Sequence, residues 1–181
     1  LEEIKVDNSA SFCFADGDKM YVGEFYRAGN YEIEDTTHHY TTPEGEEHRA
    51  IVSCYTIHDD GTLESIPDYW ISVPGLVQGF AVYNGVIAIS RSWGLNSSSI
   101  EFFRGMEATD KVSARVDYSS KAVPVYYIGE KNHIKTVAAP AFSEDLTVKD
   151  GRLIVSFESA CNKYKIGKIF FATVAGSYPF P

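Results

Sequence analysis

VQGFAVYNGVIAISRSWGLNSSSIEFF, residues 77–103, reads as three short strands joined by two turns, and the rest of the chain repeats that plan before and after it. Residues 80–83 are apolar, Asn84-Gly85 is a two-residue hairpin signal, and residues 86–90 alternate β-branched with small side chains. The pair is informative because a type I′ two-residue hairpin needs left-handed backbone at both central positions, which Asn and Gly adopt most readily. Residues 96–98 then supply a polar turn before the apolar run 100–103.

Outward from this stretch the chain is self-similar. FAVYNG at 80–85 aligns with LTVKDG at 146–151, and the pairs Ser90/Ser156, Asn96/Asn162 and Pro74/Pro140 keep the same spacing of 66 residues. An earlier copy, FCFADG at 12–17, lies 68 residues before Phe80, with one inserted residue ahead of MYVG at 20–23. The spacing defines three units, 8–73, 74–139 and 140–181. Each unit offers strand candidates at four positions. Position A is 12–15, 80–83 or 146–149, and position B is 20–24, 86–90 or 153–157. Position C is 50–57, 99–103 or 168–174, and position D is 69–73 or 135–139, with 4–6 as a D strand at the very start. Two insertions interrupt the plan. One is residues 27–49, polar and acidic; the other is 105–133, with an extra strand expected over 123–128. Gly, Pro and β-branched residues interrupt every candidate amphipathic helix, so the expected fold class is all-β.

Tandem units of four antiparallel strands resemble the blades of a β-propeller, over essentially the whole chain and most nearly the long blades of bacterial propeller proteins. The resemblance implies a partial propeller, about three blades of a ring that typically has about four to eight. Two partners would complete it. One is the missing N-terminal half of a roughly six-bladed ring, with residues 1–7 as the strand finishing a blade begun there. The other is a second copy of the chain related by two-fold symmetry. A stand-alone β-sandwich with an accidental repeat is the alternative.

Composition narrows the function classes. A formal charge of −9 and a pI near 5.0 disfavour nucleic acid and anionic membranes, both of which reward basic patches. No apolar run reaches membrane-spanning length, and the chain opens on Leu1 in the manner of a processed or truncated piece, which fits a secreted or periplasmic protein. Three cysteines are too few for a disulfide framework; Cys13 and Cys54 fall inside expected strands, where a buried thiol is the simple expectation. No GxSxG, HExxH, P-loop or Rossmann glycine pattern occurs, and no cofactor is implied.

The resemblance further implies that the loops joining B to C and D to A share one mouth, where polar residues gather. Glu24, Arg91 and Glu158 follow the B strands, and Gln78 and Glu144 precede the A strands. Two carboxylates around a guanidinium suit either a structural ion pair or catalysis, with Glu24 or Glu158 as acid or base and Arg91 stabilising negative charge. Tyr26 and Trp93 would stack on a flat ligand or wedge between blades. The expected function is a binding module for a small polar ligand, glycan or protein partner, the alternative being a hydrolase or lyase acting on a sugar- or lactone-like substrate. His38, His39 and His48 with nearby glutamates offer donors for a metal ion, but their spacing matches no zinc motif, and a solvated loop is the expectation.

Overall fold

Asn84-Gly85 and Asp150-Gly151 reverse the chain in two residues each, with φ of 50° and 75° in the first pair and 51° and 71° in the second. The structure is a computed structural model that describes residues 5–113, 121–158 and 175–181. Both turns have the left-handed pair that the hairpin chemistry demands. The first unit turns one residue later than the repeat implies. There Asp16 pairs with Lys19, so Gly17-Asp18 forms the turn and absorbs the inserted residue.

The strands in chain order are β1 (Ala10–Asp16), β2 (Lys19–Glu24), β3 (Tyr40–Thr41), β4 (Glu47–His48), β5 (Ala50–Thr56), β6 (Tyr69–Val73), β7 (Val77–Tyr83) and β8 (Val86–Arg91). They continue with β9 (Ser98–Arg104), β10 (Glu107–Val112), β11 (Pro124–Tyr127), β12 (His133–Ala139), β13 (Ser143–Lys149), β14 (Arg152–Phe157) and β15 (Ala175–Pro179). The fold is all-β, and among the described residues no helix reaches seven residues. Among the described residues, no helix is long and apolar enough to cross a membrane.

Three sheets carry the architecture, in the orders β1-β2-β5-β6-β11-β10, β7-β8-β9-β12 and β13-β14-β15. Their first strands meet: β1 packs on β7, β7 on β13, and β1 also reaches β13. One apolar core therefore joins all three sheets, with Phe12 and Phe14 from the first, Phe80 and Phe102 from the second, and Leu146 and Leu153 from the third. Each fully buried side chain of this size contributes about 1.5–3 kcal/mol. Every first strand also breaks register near its start, between 10 and 12, 77 and 79, and 143 and 146. The first two of these bulges stand 67 residues apart, one fewer than the 68 between Phe12 and Phe80, because the first hairpin turns one residue later.

The first sheet has six strands where the repeat predicts four. The insertion of the second unit forms the hairpin β10–β11 and lays β11 parallel to β6, with Val125, Tyr126 and Tyr127 opposite Trp70, Ile71 and Ser72. An open β6 edge would expose pairing groups and the cluster of Ile51, Trp70, Val123 and Val125; the hairpin covers both. From β10, the partly buried Lys111 donates to the carbonyls of Thr37 and His39, so the two insertions hold each other. Burial pushes the Lys111 ammonium below its ordinary value.

Three expectations meet a different structure or none. Of the strand expected over 4–6, residue 4 lies outside the described residues and residues 5 and 6 carry no strand, while Asp7 and Asn8 bond to the first sheet. Asp7 accepts from Trp70 Nε1 (2.7 Å), Ser53 Oγ (2.7 Å) and the Tyr55 hydroxyl, and Asn8 Nδ2 donates to Val22 O. These buried donors of β5 and β6 need an acceptor, and Asp7 supplies it. The strand expected over 168–174 lies outside the described residues, as do Cys161 and Asn162; β15 takes the place beside β14. Cys54 is buried, but Cys13 is exposed because it faces away from the core between Phe12 and Phe14.

At the far end of the first sheet, where β2 starts, Lys19 Nζ donates to Asp68 Oδ2 (2.9 Å) and Thr56 Oγ1 (2.7 Å), and Thr56 Oγ1 donates to Asp68 (2.7 Å). Burial works to raise the Asp68 pKa, but the bonds from Lys19 and Thr56 hold it below the ordinary carboxylate value. A depressed carboxylate contributes stability above its unfolded pKa, and that contribution is lost as pH falls through the folded value. The wild-type melting temperature should therefore fall more steeply below about pH 4 than that of Asp68→Asn. Equal slopes in melts from acid to neutral pH would remove this pair from the acid response.

Candidate functional site

The three bulges and the ends of the three B strands lie at one end of the sheets. A bulge re-aims the side chain it releases from the ladder. Here the released residues are Ser11, Gln78 and Glu144, one per sheet, and they line two adjoining cavities. The first, about 390 Å³, is walled by Phe25, Tyr31 and Trp93 with Ser11 and Gln78. The second, about 360 Å³, shares Tyr31, Gln78 and Trp93 and adds Phe142, Glu144 and Glu158. A third, about 390 Å³, shares Ser9, Glu32 and Ile33 with the first and is lined by Asp7, Glu24, Glu34, Asp35 and His38. Together they make a groove that is aromatic in the middle and acidic at both ends.

The aromatic middle is built from a loop and a strand end. Arg27 and Tyr31 close a tight loop by reciprocal backbone bonds (3.1 and 2.9 Å), with Gly29 at φ 83° allowing the reversal. That loop sets Tyr31 edge-on to Phe25 (5.2 Å between centroids) and to Trp93 (5.8 Å). Phe25 stacks with Trp93 at 6.0 Å, and the Arg27 guanidinium sits 4.1 Å from the Trp93 ring centre. Tyr31 is 51% exposed, an unusual placement for a large ring that is already fixed by neighbours.

The acidic end turns on a buried pair. Glu24, 1% exposed, accepts from Ser9 N and Ile51 N (3.1 Å each), and both its oxygens lie 3.0–3.1 Å from His38 Nδ1. A carboxylate already receiving two backbone N–H groups takes the imidazole N–H as a third, which fixes the ring. Trp70 holds the ring edge-on at 5.0 Å, and the bond from Thr37 N to Asp35 Oδ1 (2.9 Å) shapes the loop that carries it.

The residues singled out from the sequence separate into two groups. Glu24, Gln78, Trp93, Glu144 and Glu158 line the groove. Arg91 and Tyr26 do not. Arg91 pairs with Glu101 (3.2 Å) and donates to Gly75 O (3.0 Å), rather than joining Glu24 and Glu158. The register explains it: Arg91 faces Ser99 across β8 and β9, which leaves Glu101 two residues along the same face. Tyr26 packs against Gly75, 3.2 Å from where that residue's Cβ would stand, and adds to the core. Burial raises its phenol pKa.

The histidines are not a solvated loop. His38 is 3% and His48 0% exposed, because each has a hydrogen-bond partner inside, Glu24 for the first and Ser72 Oγ (3.2 Å) for the second. His39 bonds Ile33 O at 3.0 Å. The three diverge, and among the described residues no group of three His, Cys, Asp or Glu side chains could hold a metal ion. Sequence reasoning missed Phe25, Arg27, Tyr31 and Ser11. The 68-residue offset sets Ser11 opposite Gly79, and only the later turn of the first hairpin brings it level with the bulges at 78 and 144.

No protein-family model matches the chain, and neither a curated protein nor a solved structure does.

Proposed function

We propose that this protein is a propeller-like binding module that holds a small polar ligand with a flat face, such as a monosaccharide, in the groove at the bulged end of its sheets. The observation that carries the reading is the delivery of one bulge residue per sheet, Ser11, Gln78 and Glu144, to cavities that share the half-exposed Tyr31 and the edge of Trp93. Hydroxyl and amide groups beside an aromatic surface match a ligand with both apolar faces and polar edges. The propeller comparison is supported by the strand order, in which position A is innermost in each sheet. A second copy of the chain, or an N-terminal half, would add blades beyond these three.

A second reading, acid–base cleavage of the bound molecule, is favoured by Glu144 and Glu158 lining one cavity. It predicts that ligand is consumed with time.

Trp93 lines the groove and is the reporter; the other tryptophan, Trp70, is fully buried in β6. Glucose and related monosaccharides should change its emission saturably. Tyr31→Ala and Gln78→Ala should each weaken that binding about tenfold, the loss of roughly 1.4 kcal/mol, with little change in melting temperature. A drifting signal would mark the second reading, and no saturable change with any sugar would sink both.

A further inference from the structure

Four residues other than glycine have left-handed backbone among the described residues, and they form two pairs at the 66-residue spacing, Asn84 with Asp150 and Leu76 with Phe142. The first pair sits in hairpin turns that call for this conformation, and its short polar side chains adopt it readily. The second pair has no such reason. Leu76 (φ 69°) and Phe142 (φ 62°) are large apolar residues for which this region is an outlier, and such strain persists only where the surroundings over-determine it. The surroundings that do so belong to the groove. Leu76 N donates to Tyr26 O (2.9 Å), and Leu76 O accepts from Ser92 N (3.0 Å), the residue before Trp93. Phe142 O accepts from Glu158 N (3.0 Å), sixteen residues on as in the first case. Beside it Ser143 is pinned twice, its N–H donating to Ser98 Oγ (3.1 Å) and its Oγ sharing a hydrogen bond with Ser90 Oγ (2.6 Å).

Each strained carbonyl thus ties the start of an A strand, two residues before Gln78 or Glu144, to the end of a B strand, where Ser92, Trp93 and Glu158 line the second cavity. In the first unit no residue is left-handed at this point, and Glu24 at the end of β2 takes Ser9 N through its side chain instead (3.1 Å). Resting on the groove reading above, we infer that Leu76 and Phe142 are positioning residues of the ligand site. Their left-handed backbone sets the bulge residues Gln78 and Glu144 against Trp93 and Glu158 before a ligand arrives, and a site fixed in advance loses less binding free energy to ordering. Phe142 also walls the second cavity with its ring. Leu76 lines none of the groove's three cavities, so a change there reaches a ligand through the backbone.

Leu76→Asn and Leu76→Val test this on the full chain. Asn adopts left-handed backbone readily but gives up the apolar side chain; Val keeps an apolar side chain, but its branched Cβ opposes that backbone. Glucose binding is read by Trp93 emission, and the bond from Ser92 N to Leu76 O by hydrogen exchange of the Ser92 amide without ligand. Leu76→Asn should bind glucose within about twofold of wild type, and Leu76→Val about tenfold more weakly. Ser92 should exchange about tenfold faster in Leu76→Val than in Leu76→Asn. Side-chain packing alone produces the reverse order, with Val tolerated and Asn not; that order, or equal behaviour of the two variants, would overturn the inference. Should Leu76→Val not fold, Leu76→Asn decides: glucose binding weakened about tenfold overturns the inference, and binding within about twofold upholds it. A wild type that binds no sugar, with the exchange order as expected, would sink the groove reading and leave the backbone tie standing.

Discussion

Glu24→Ala is expected to lower the melting temperature on the order of 10 °C, from a loss of about 3–5 kcal/mol. The side chain is 1% exposed, and three donors converge on it, Ser9 N, Ile51 N and His38 Nδ1. Removing it strands all three in a place that water reaches poorly, and a buried donor without a partner costs about 1–3 kcal/mol. It also frees the segment at Ser9 from the end of β2. Glu24→Gln should cost less, because the amide oxygen can still accept. A double variant with His38→Ala should lose less than the sum of the single changes, since the two share one interaction. A shift below about 2 °C for Glu24→Ala would mean the carboxylate is not what holds these groups.

Gly79→Ala should cost about 2–3 kcal/mol, the upper range for overpacking, and lower the melting temperature by about 6–8 °C. A Cβ at this position would stand 2.5 Å from Glu144 O, 2.9 Å from Leu146 N and 3.0 Å from Asp145 Cα. The obstacles are backbone atoms of β13, which cannot swing aside as a side chain can. The methyl would therefore push the first strands of the second and third sheets apart, at the bulges that shape the groove. Gly129→Ala is the control, with its nearest neighbours at an ordinary 3.5 Å and an expected change within about 0.5 kcal/mol. If the two variants melt alike, the sheets are not packed as closely at the groove as the structure shows.

The parts of this fold that were legible in the sequence are those decided within a few residues. Asn84-Gly85 and Asp150-Gly151 announce their hairpins because the turn chemistry is local, and the repeat carried the A and B strands of all three sheets. The D strands at Tyr69–Val73 and His133–Ala139 followed from the same alignment. What stayed hidden depends on distant partners. EATDKV at β10 has no apolar alternation, so it is a strand only because β11 pairs with it. Nothing in PVYY says that it will lie parallel to WIS of β6.

The candidate site divides in the same way. Gln78, Trp93, Glu144 and Glu158 could be placed by their position relative to strand ends, and the structure brings them to one cavity. Arg91 pairs with Glu101 rather than with Glu24 and Glu158 because its partner is chosen by the β8–β9 register, which no local pattern announces. His38 read as a solvated residue because its neighbours in sequence are polar. Its burial comes from Glu24, fourteen residues earlier, and from Trp70 beneath it.

The docking of β11 on β6 sets an order of events during biosynthesis. The first sheet begins with Ala10 but acquires its outer two strands only after residue 127 has left the ribosome. At ordinary elongation rates the stretch from Val73 to Tyr127 takes seconds. Through that interval Ile51 and Trp70 lack the Val123 and Val125 that cover them, so the nascent chain presents an unguarded sheet border. A protein with that schedule benefits from a chaperone, or from slow release, until its own later residues arrive.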